Sequence, residues 1–273
     1  MPKYEVAPGI RLYCEDFGTG KAIVFTSAGI QTRKMWEHQA AELGFKYRTI
    51  TYDWRGTGRS DRPRGPYNVE QAVDDLCTLI ESLSVAPAVL VGHGIGCHVT
   101  LLAAHRRPDL VERMVLVSGA PWYTGDRDDE GGFSNEFTAW WEAQTANKGT
   151  HIAQAYAELG ERFLFHKGPG PAVGHSVLEQ ALDWPLYVFK SYTASMMTLD
   201  HREILPRLGC PTMIFQGRHD NKQRYSGGRY LAENIPGASL VTFEESAHMP
   251  QIEEMELFNQ TLDHFISAPL VDD

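Results

Sequence analysis

The sequence predicts an α/β fold with a mostly parallel central sheet, helices on both faces and one helical insertion. Short apolar runs alternate with longer amphipathic stretches along most of the 273 residues, as expected for a parallel sheet covered by helices. The alternation stops at about residue 122 and resumes after residue 205. We therefore expect a core of residues 1–121 and 206–273, with residues 122–205 forming a helical lid.

The individual elements follow from the spacing of apolar residues. Strands are predicted at Ile10–Glu15, Ala22–Thr26, Tyr47–Tyr52, Ala88–Val91, Arg113–Val117, Thr212–Gln216 and Ser239–Phe243. Helical spacing predicts helices at Val69–Leu83, Ile95–Arg106, Ser226–Asn234 and Glu254–Ile266. The insertion has no convincing strand but is rich in Trp, Tyr and Phe. Such residues could wall a ligand pocket or simply pack on the core.

Composition and charge exclude several classes of partner. The net charge of −10 and the pI of about 5.6 argue against nucleic acid or an anionic membrane. Four scattered cysteines indicate free thiols in a reducing compartment. The start of the chain lacks the build of a signal peptide, and no apolar stretch has membrane-spanning length. We expect a cytoplasmic protein that uses neither a metal nor an organic cofactor.

The segment 89–96 (VLVGHGIG) joins an apolar run to the start of a predicted helix through a glycine-rich turn. Gly92 and Gly96 fit the outer positions of G-x-S-x-G, a sharp turn that exposes a nucleophile above a sheet. The central position is Gly94, which has no side chain. An ordinary glycine-rich turn would also fit this segment alone, whereas the G-x-G-x-x-G spacing of a dinucleotide site is not matched.

Two later strand ends carry an acid and a histidine. Asp220 follows the strand predicted at 212–216, and His248 stands 28 residues further on, after the strand predicted at 239–243. Nucleophile, acid and histidine would thus occur in the chain order of one established class of hydrolases. We expect Asp220 to orient His248, which would act as a general base toward position 94.

These motifs resemble those of the α/β-hydrolase superfamily, in its capped branch of esterases, lactonases, carbon–carbon bond hydrolases and epoxide hydrolases. The segment 53–60 (DWRGTGRS) resembles the family's D-x-R-G-x-G-x-S turn, and Pro250, Glu253 and Phe258 resemble the residues that follow its histidine. The resemblance covers nearly the whole chain outside the insertion. It implies the fold much more specifically than it implies a substrate.

The resemblance also implies binding residues. The segment 27–29 (SAG) stands where the family usually has a His-Gly pair, so the N–H groups of Gly29 and Ile95 would hold an oxyanion. The hydroxyl of Ser27 could join the site or only hold the loop. Trp122 is predicted as a pocket wall, with a core residue that anchors the lid as the alternative. Met249, beside His248, is a further candidate to face the pocket.

The predicted activity is hydrolysis of a small hydrophobic or aromatic carboxylic ester or lactone by a serine acyl-enzyme mechanism. Because Gly94 stands where serine is expected, we expect an inactivated form of such an enzyme. Several alternatives stay open: a natural ligand-binding protein without a nucleophile, a natural enzyme that uses a water together with His248, a lost Asp or Cys nucleophile, carbon–carbon bond or epoxide hydrolysis, and cofactor-free oxygenation. The sequence indicates neither the substrate nor the oligomeric state.

Overall fold

The computed structural model describes residues 3–124, 131–146 and 152–270. Eight strands form one sheet in the order β1-β2-β4-β3-β5-β6-β7-β8. They are β1 (Lys3–Ala7), β2 (Ile10–Phe17), β3 (Ala22–Thr26), β4 (Arg48–Tyr52), β5 (Ala88–His93), β6 (Val111–Val117), β7 (Thr212–Gly217) and β8 (Ser239–Phe243). The pairs β1–β2 and β2–β4 are antiparallel, and all other pairs are parallel. The predicted α/β class with a mostly parallel sheet is confirmed.

Helices connect and cover these strands. They are α1 (Glu37–Leu43), α2 (Val69–Ser82), α3 (Ile95–Arg106), α4 (Asn135–Ala146), α5 (Ile152–Leu159), α6 (Gly170–Leu182), α7 (Leu186–Met196), α8 (Tyr225–Asn234), α9 (Pro250–Glu253) and α10 (Met255–Ser267). Within residues 3–124, 131–146 and 152–270, we find no helix with the length and apolar character needed to cross a membrane.

The insertion predicted at 122–205 contributes α4 to α7 between β6 and β7. Outside these helices, its described residues add only isolated bridges to the strand pairing, Trp122 with Asp200 and Phe133 with Gln223. Residues 125–130 and 147–151 of the insertion lie outside the described part of the chain. The helices of the insertion therefore follow the strand after which the sequence pattern changes.

Burial explains why the central strands β3 and β5 could be recognised in the sequence. Every residue of both strands is buried, as expected for parallel strands covered on both faces, and both begin with a continuous apolar run, Ala22–Phe25 and Ala88–Val91. The edge strand β1 buries only Val6 of its five residues, so it shows no apolar run and was not predicted. The short helix α1 was missed for a similar reason, since it buries only Gln39 and Leu43.

A close approach between α3 and the end of β3 places the turn that precedes α3. A Cβ atom added to Gly96 would lie 2.8 Å from each of two backbone carbonyl oxygens, those of Thr26 and Ser27. Real Cβ atoms essentially never come this close to backbone oxygens. Glycine at position 96 thus lets the start of α3 lie directly against the chain that leaves β3.

We predict that Gly96→Ala lowers the free energy of unfolding by about 1–3 kcal/mol, because the added methyl group forces rigid backbone to move. Gly209→Ala is the matched control, since a Cβ atom there meets nothing within 4 Å, and it should change stability by less than about 0.5 kcal/mol. Urea denaturation of the purified variants measures both values. Equal effects at the two positions would contradict the packing described for α3.

Candidate active site

The backbone at Gly94 has the conformation that the nucleophile-turn motif predicts. Gly94 lies between β5 and α3 with φ of 56° and ψ of −119°, a region that residues with a side chain rarely adopt. Its N–H donates to the carbonyl of Val117, at 3.0 Å, and its carbonyl accepts from the N–H of Cys97, at 3.0 Å. The turn is therefore fixed to the neighbouring strand β6 and to the first turn of α3.

Asp220 and His248 come together from the ends of β7 and β8. The Nδ1 atom of His248 lies 2.8 Å from Oδ2 of Asp220, and both side chains are buried. Further support for His248 comes from His93, the last residue of β5, whose Nε2 lies 2.7 Å from the backbone oxygen of His248. The structure thus brings together the acid and the histidine that the sequence placed at separate strand ends.

Asp220 is held by donors from its own strand and loop. Oδ1 accepts hydrogen bonds from the backbone N–H groups of Lys222 and Gln223, and Oδ2 also accepts one from the side-chain amide of Gln216. Burial raises the pKa of the Asp220 carboxyl, and the N–H groups of Gln223 and Lys222 oppose that rise. The carboxyl group therefore has a fixed position from which Oδ2 faces the imidazole.

Position 94 faces His248 across unfilled space. A Cβ atom built on Gly94 would lie 3.7 Å from Nε2 of His248 and 3.6 Å from Cβ of Ala28, with no other neighbour within 4 Å. These are ordinary van der Waals distances. A short polar side chain at this position would consequently reach hydrogen-bond distance of the imidazole without displacing the surrounding atoms.

Gly29 and Ile95 lie next to each other beside this space. A Cβ atom on Gly29 would be 3.5 Å from Cγ2 of Ile95, and both residues line the same cavity as Gly94. In the ranges that the structure describes, neither backbone N–H has a protein acceptor. Two donors are therefore free to bind an oxygen atom near position 94.

Lys222 is a part of the site that the sequence analysis missed. Its Nζ lies 3.0 Å from Nε2 of His248, and the centroids of the Phe133 and Phe137 rings lie 6.0 and 5.8 Å from that nitrogen. The available signal was its position two residues after Asp220, in the loop that carries the acid. Because we considered only carboxylates and histidines at these strand ends, we did not predict Lys222.

The protonation states of this pair follow from burial. Burial lowers the pKa of His248 well below its usual range, and the charge of Lys222 lowers it further. Burial also lowers the pKa of Lys222 to about 8, against the opposing effect of Asp220. At neutral pH an ammonium group, which can only donate, thus faces a neutral imidazole. Nε2 of His248 must accept from Lys222, and Nδ1–H must donate to Asp220.

The cavity above position 94 is walled mainly by aromatic and aliphatic side chains of the insertion. Its lining comprises Gly29, Ile30, Gly94, Ile95, Tyr123, Phe133, Phe137, Trp141, Leu159, Trp184, Phe189, Tyr192, Thr193, Met196, Lys222, Gln223 and His248. Hydrogen bonds tie two of these walls to core loops, from Trp184 Nε1 to the carbonyl of Gln31 and from the Tyr192 hydroxyl to the carbonyl of Arg55. The described walls of the cavity are therefore mostly apolar and are held in place from the core.

Three predicted binding residues lie outside this lining. Trp122 is buried against Tyr230, with its ring edge-on at 5.2 Å between centroids, and beneath the guanidinium of Arg202. Trp122 therefore does not line the pocket as expected. It packs where the insertion begins, which was the alternative. Ser27 and Met249 are also buried outside the cavity lining. Met249 belongs to the hydrophobic core, and the backbone oxygen of Ser27 lies against Gly96 at the start of α3.

No group of three or more His, Cys, Asp or Glu side chains that could hold a metal ion occurs in residues 3–124, 131–146 and 152–270. The arrangement of Asp220, His248 and the backbone donors is suited to proton transfer. A carboxylate orients an imidazole, which faces an open position beside two free N–H donors.

Comparison with known proteins places these features in a family. The sequence profile of the family described as the alpha/beta hydrolase fold matches residues 21–255. An AB hydrolase superfamily protein of Bacillus subtilis, YisY, is 28% identical over 265 residues, which cover 95% of this chain and 96% of that protein. Residues 21–255, which the family profile matches, include every residue of the site described above.

Two solved structures have the same fold as this chain, although their sequence identity to it is low. An esterase from Exiguobacterium antarcticum superposes with a TM-score of 0.87 at 25% identity, covering 97% of this chain and 99% of that one. An enol-lactonase from Burkholderia xenovorans superposes with a TM-score of 0.84 at 26% identity, covering 98% and 100%. Proteins named for ester and lactone hydrolysis thus share this architecture over nearly their whole length.

We predict that Lys222→Met raises the pKa of His248, because it removes a positive charge 3.0 Å from Nε2 that disfavours the imidazolium. Lys222→Arg keeps the charge and should keep the pKa low. NMR titration of the His248 ring protons, assigned with a His248 variant, measures the three values. An unchanged pKa in Lys222→Met would contradict the contact.

Proposed function

Because the chain belongs to the α/β-hydrolase fold family, we propose that its cavity binds a small hydrophobic carboxylic ester or lactone with the carbonyl carbon above Gly94. The observation that carries this proposal is the open position 3.7 Å from Nε2 of His248, measured from the Cβ site of Gly94. Esterases and a lactonase share the architecture. The apolar walls of the cavity match a ligand of this class.

Two backbone donors would polarise the carbonyl. The free N–H groups of Gly29 and Ile95 stand together beside position 94 and would hold the oxygen of the carbonyl group. Ile95 is also the first residue of α3, whose N-terminus favours negative charge. Such donors stabilise the oxyanion that forms when a nucleophile adds to the carbonyl carbon.

Acyl transfer at this site would require a hydroxyl at position 94. A serine Oγ there would attack the carbonyl carbon and pass its proton to Nε2 of His248, while Asp220 holds the imidazole at Nδ1–H and stabilises its positive charge. The imidazolium would protonate the leaving alcohol. A water molecule, deprotonated by His248, would then release the acid and restore the serine.

With Gly94 the acyl-enzyme cannot form, because position 94 carries no hydroxyl group. The positive φ at position 94 costs about 1–3 kcal/mol for a residue with a side chain, and glycine avoids this cost. We therefore propose that the chain retains ester or lactone binding and has little or no hydrolysis. The insertion α4 to α7 would act as the lid that closes the cavity from water.

A ligand-binding protein without turnover is the second candidate. It is favoured by the contact between Lys222 Nζ and Nε2 of His248, which occupies the atom that a nucleophile would need as its base. On this reading the acid and the histidine hold Lys222 in place. Both candidates share the ligand class and differ in what a serine at position 94 would do.

We predict that Gly94→Ser raises hydrolysis of p-nitrophenyl esters and simple aryl lactones on the order of 10⁴-fold, because loss of one member of a serine triad typically costs this much or more. Gly94→Ala is the matched control, since it adds the same backbone strain without a nucleophile, and it should remain inactive. His248→Ala should abolish the gain in the Gly94→Ser background. Initial-rate assays and intact-protein mass spectrometry of the acyl-enzyme measure these outcomes.

Because Lys222 contacts the same imidazole nitrogen, the assay includes the double variant Gly94→Ser, Lys222→Met. Methionine cannot donate to Nε2, so the serine hydroxyl has no competitor in this variant. Activity in either serine variant supports the proposal. Failure of both to form an acyl-enzyme across esters and lactones would overturn it.

A further inference from the structure

Lys222 places an amine at the wall of the cavity, beside His248. The described residues that line the cavity include no Asp or Glu, and no ion pair in the described part of the chain involves Lys222. Among the described residues, Nε2 of His248 is the one hydrogen-bond partner of Nζ, and the aromatic rings of Phe133 and Phe137 face the nitrogen. The amine is thus held among apolar groups next to the candidate reaction centre.

An ammonium group in these surroundings has unused donors. It carries three N–H bonds, and a neutral imidazole nitrogen accepts only one of them. Burying a charge is costly, and Asp220, on the far side of His248, offsets this cost for Lys222 only in part. A closer opposite charge with hydrogen bonds would offset more of it. The aromatic faces of Phe133 and Phe137 compensate only in part. The arrangement is therefore complementary to an acceptor with negative charge that enters through the cavity.

The neighbouring donors define the shape of that acceptor. The free N–H groups of Gly29 and Ile95 line the same cavity as Lys222, and Gly94 contributes no side chain between them. A carboxylate has two oxygen atoms, one for the N–H pair and one for the ammonium. Its organic substituent would then extend along the aromatic walls of the insertion.

We propose that Lys222 is a carboxylate-binding residue and that the ligand of this cavity is an apolar or aromatic carboxylic acid. The inference rests on the proposed function, since this acid is the acyl product that hydrolysis of a matching ester or lactone would release. The carboxylate occupies the place of the ester carbonyl. Lys222 recognises the negative charge of the acid, which the corresponding ester lacks.

Three ligands with one apolar body separate charge recognition from shape: 4-phenylbutyrate, 4-phenylbutyramide and methyl 4-phenylbutyrate. Isothermal titration calorimetry with the unaltered chain is expected to give at least about tenfold tighter binding of the acid than of the amide, the range of a charge-assisted hydrogen bond. In Lys222→Met the acid and the amide should bind about equally. Lys222→Arg, which keeps a cation, should retain a preference for the acid.

A merely structural role for Lys222 would change the affinity for all three ligands in parallel and leave the ratio of acid to amide unaltered. Circular dichroism confirms that each variant is folded. Equal binding of acid and amide by the unaltered chain, or an undiminished preference in Lys222→Met, would overturn the inference. The proposed function fails by a separate result, the absence of an acyl-enzyme in the serine variants, which does not involve this ratio.

Discussion

The hydrogen bond between Asp220 and His248 is the interaction on which the rest of the site depends. At 2.8 Å it fixes the imidazole in the plane and tautomer that direct Nε2 toward position 94. Asp220 is in turn held by two backbone N–H groups and a buried amide. Because these groups come from β7 and its following loop, the sheet itself sets the direction of the imidazole. The aromatic insertion then encloses the same nitrogen in an apolar cavity.

Gly94 removes the side chain at the nucleophile position and leaves the surrounding geometry in place. The turn keeps a positive φ, the N–H donors beside it are free, and the space toward His248 is unfilled. Lys222 meets the imidazole nitrogen instead. The site therefore places two backbone N–H donors and the Lys222 amine in one cavity. Under the two proposals, the same donors would bind either a carbonyl compound or a carboxylate.

The sequence predicted the strands with both faces buried and the three strand ends that meet at the site. The apolar runs identify β3 and β5 because strands buried on both faces carry apolar residues at consecutive positions. It could not reveal that Trp122 packs on Tyr230 outside the cavity, since an aromatic residue satisfies either environment. Lys222 escaped prediction because a lysine in a loop is usually solvated, and only the fold brings its amine to His248.

We propose that a carbonyl compound binds above Gly94, between the backbone donors and His248. A crystal structure of the unaltered chain with an intact aryl ester tests it most directly, since a site without a nucleophile should keep the ester uncleaved. We expect the carbonyl oxygen to lie within hydrogen-bond distance of the N–H groups of Gly29 and Ile95, with the carbonyl carbon over Gly94. An ester bound elsewhere, or with its carbonyl directed away from these donors, would contradict it.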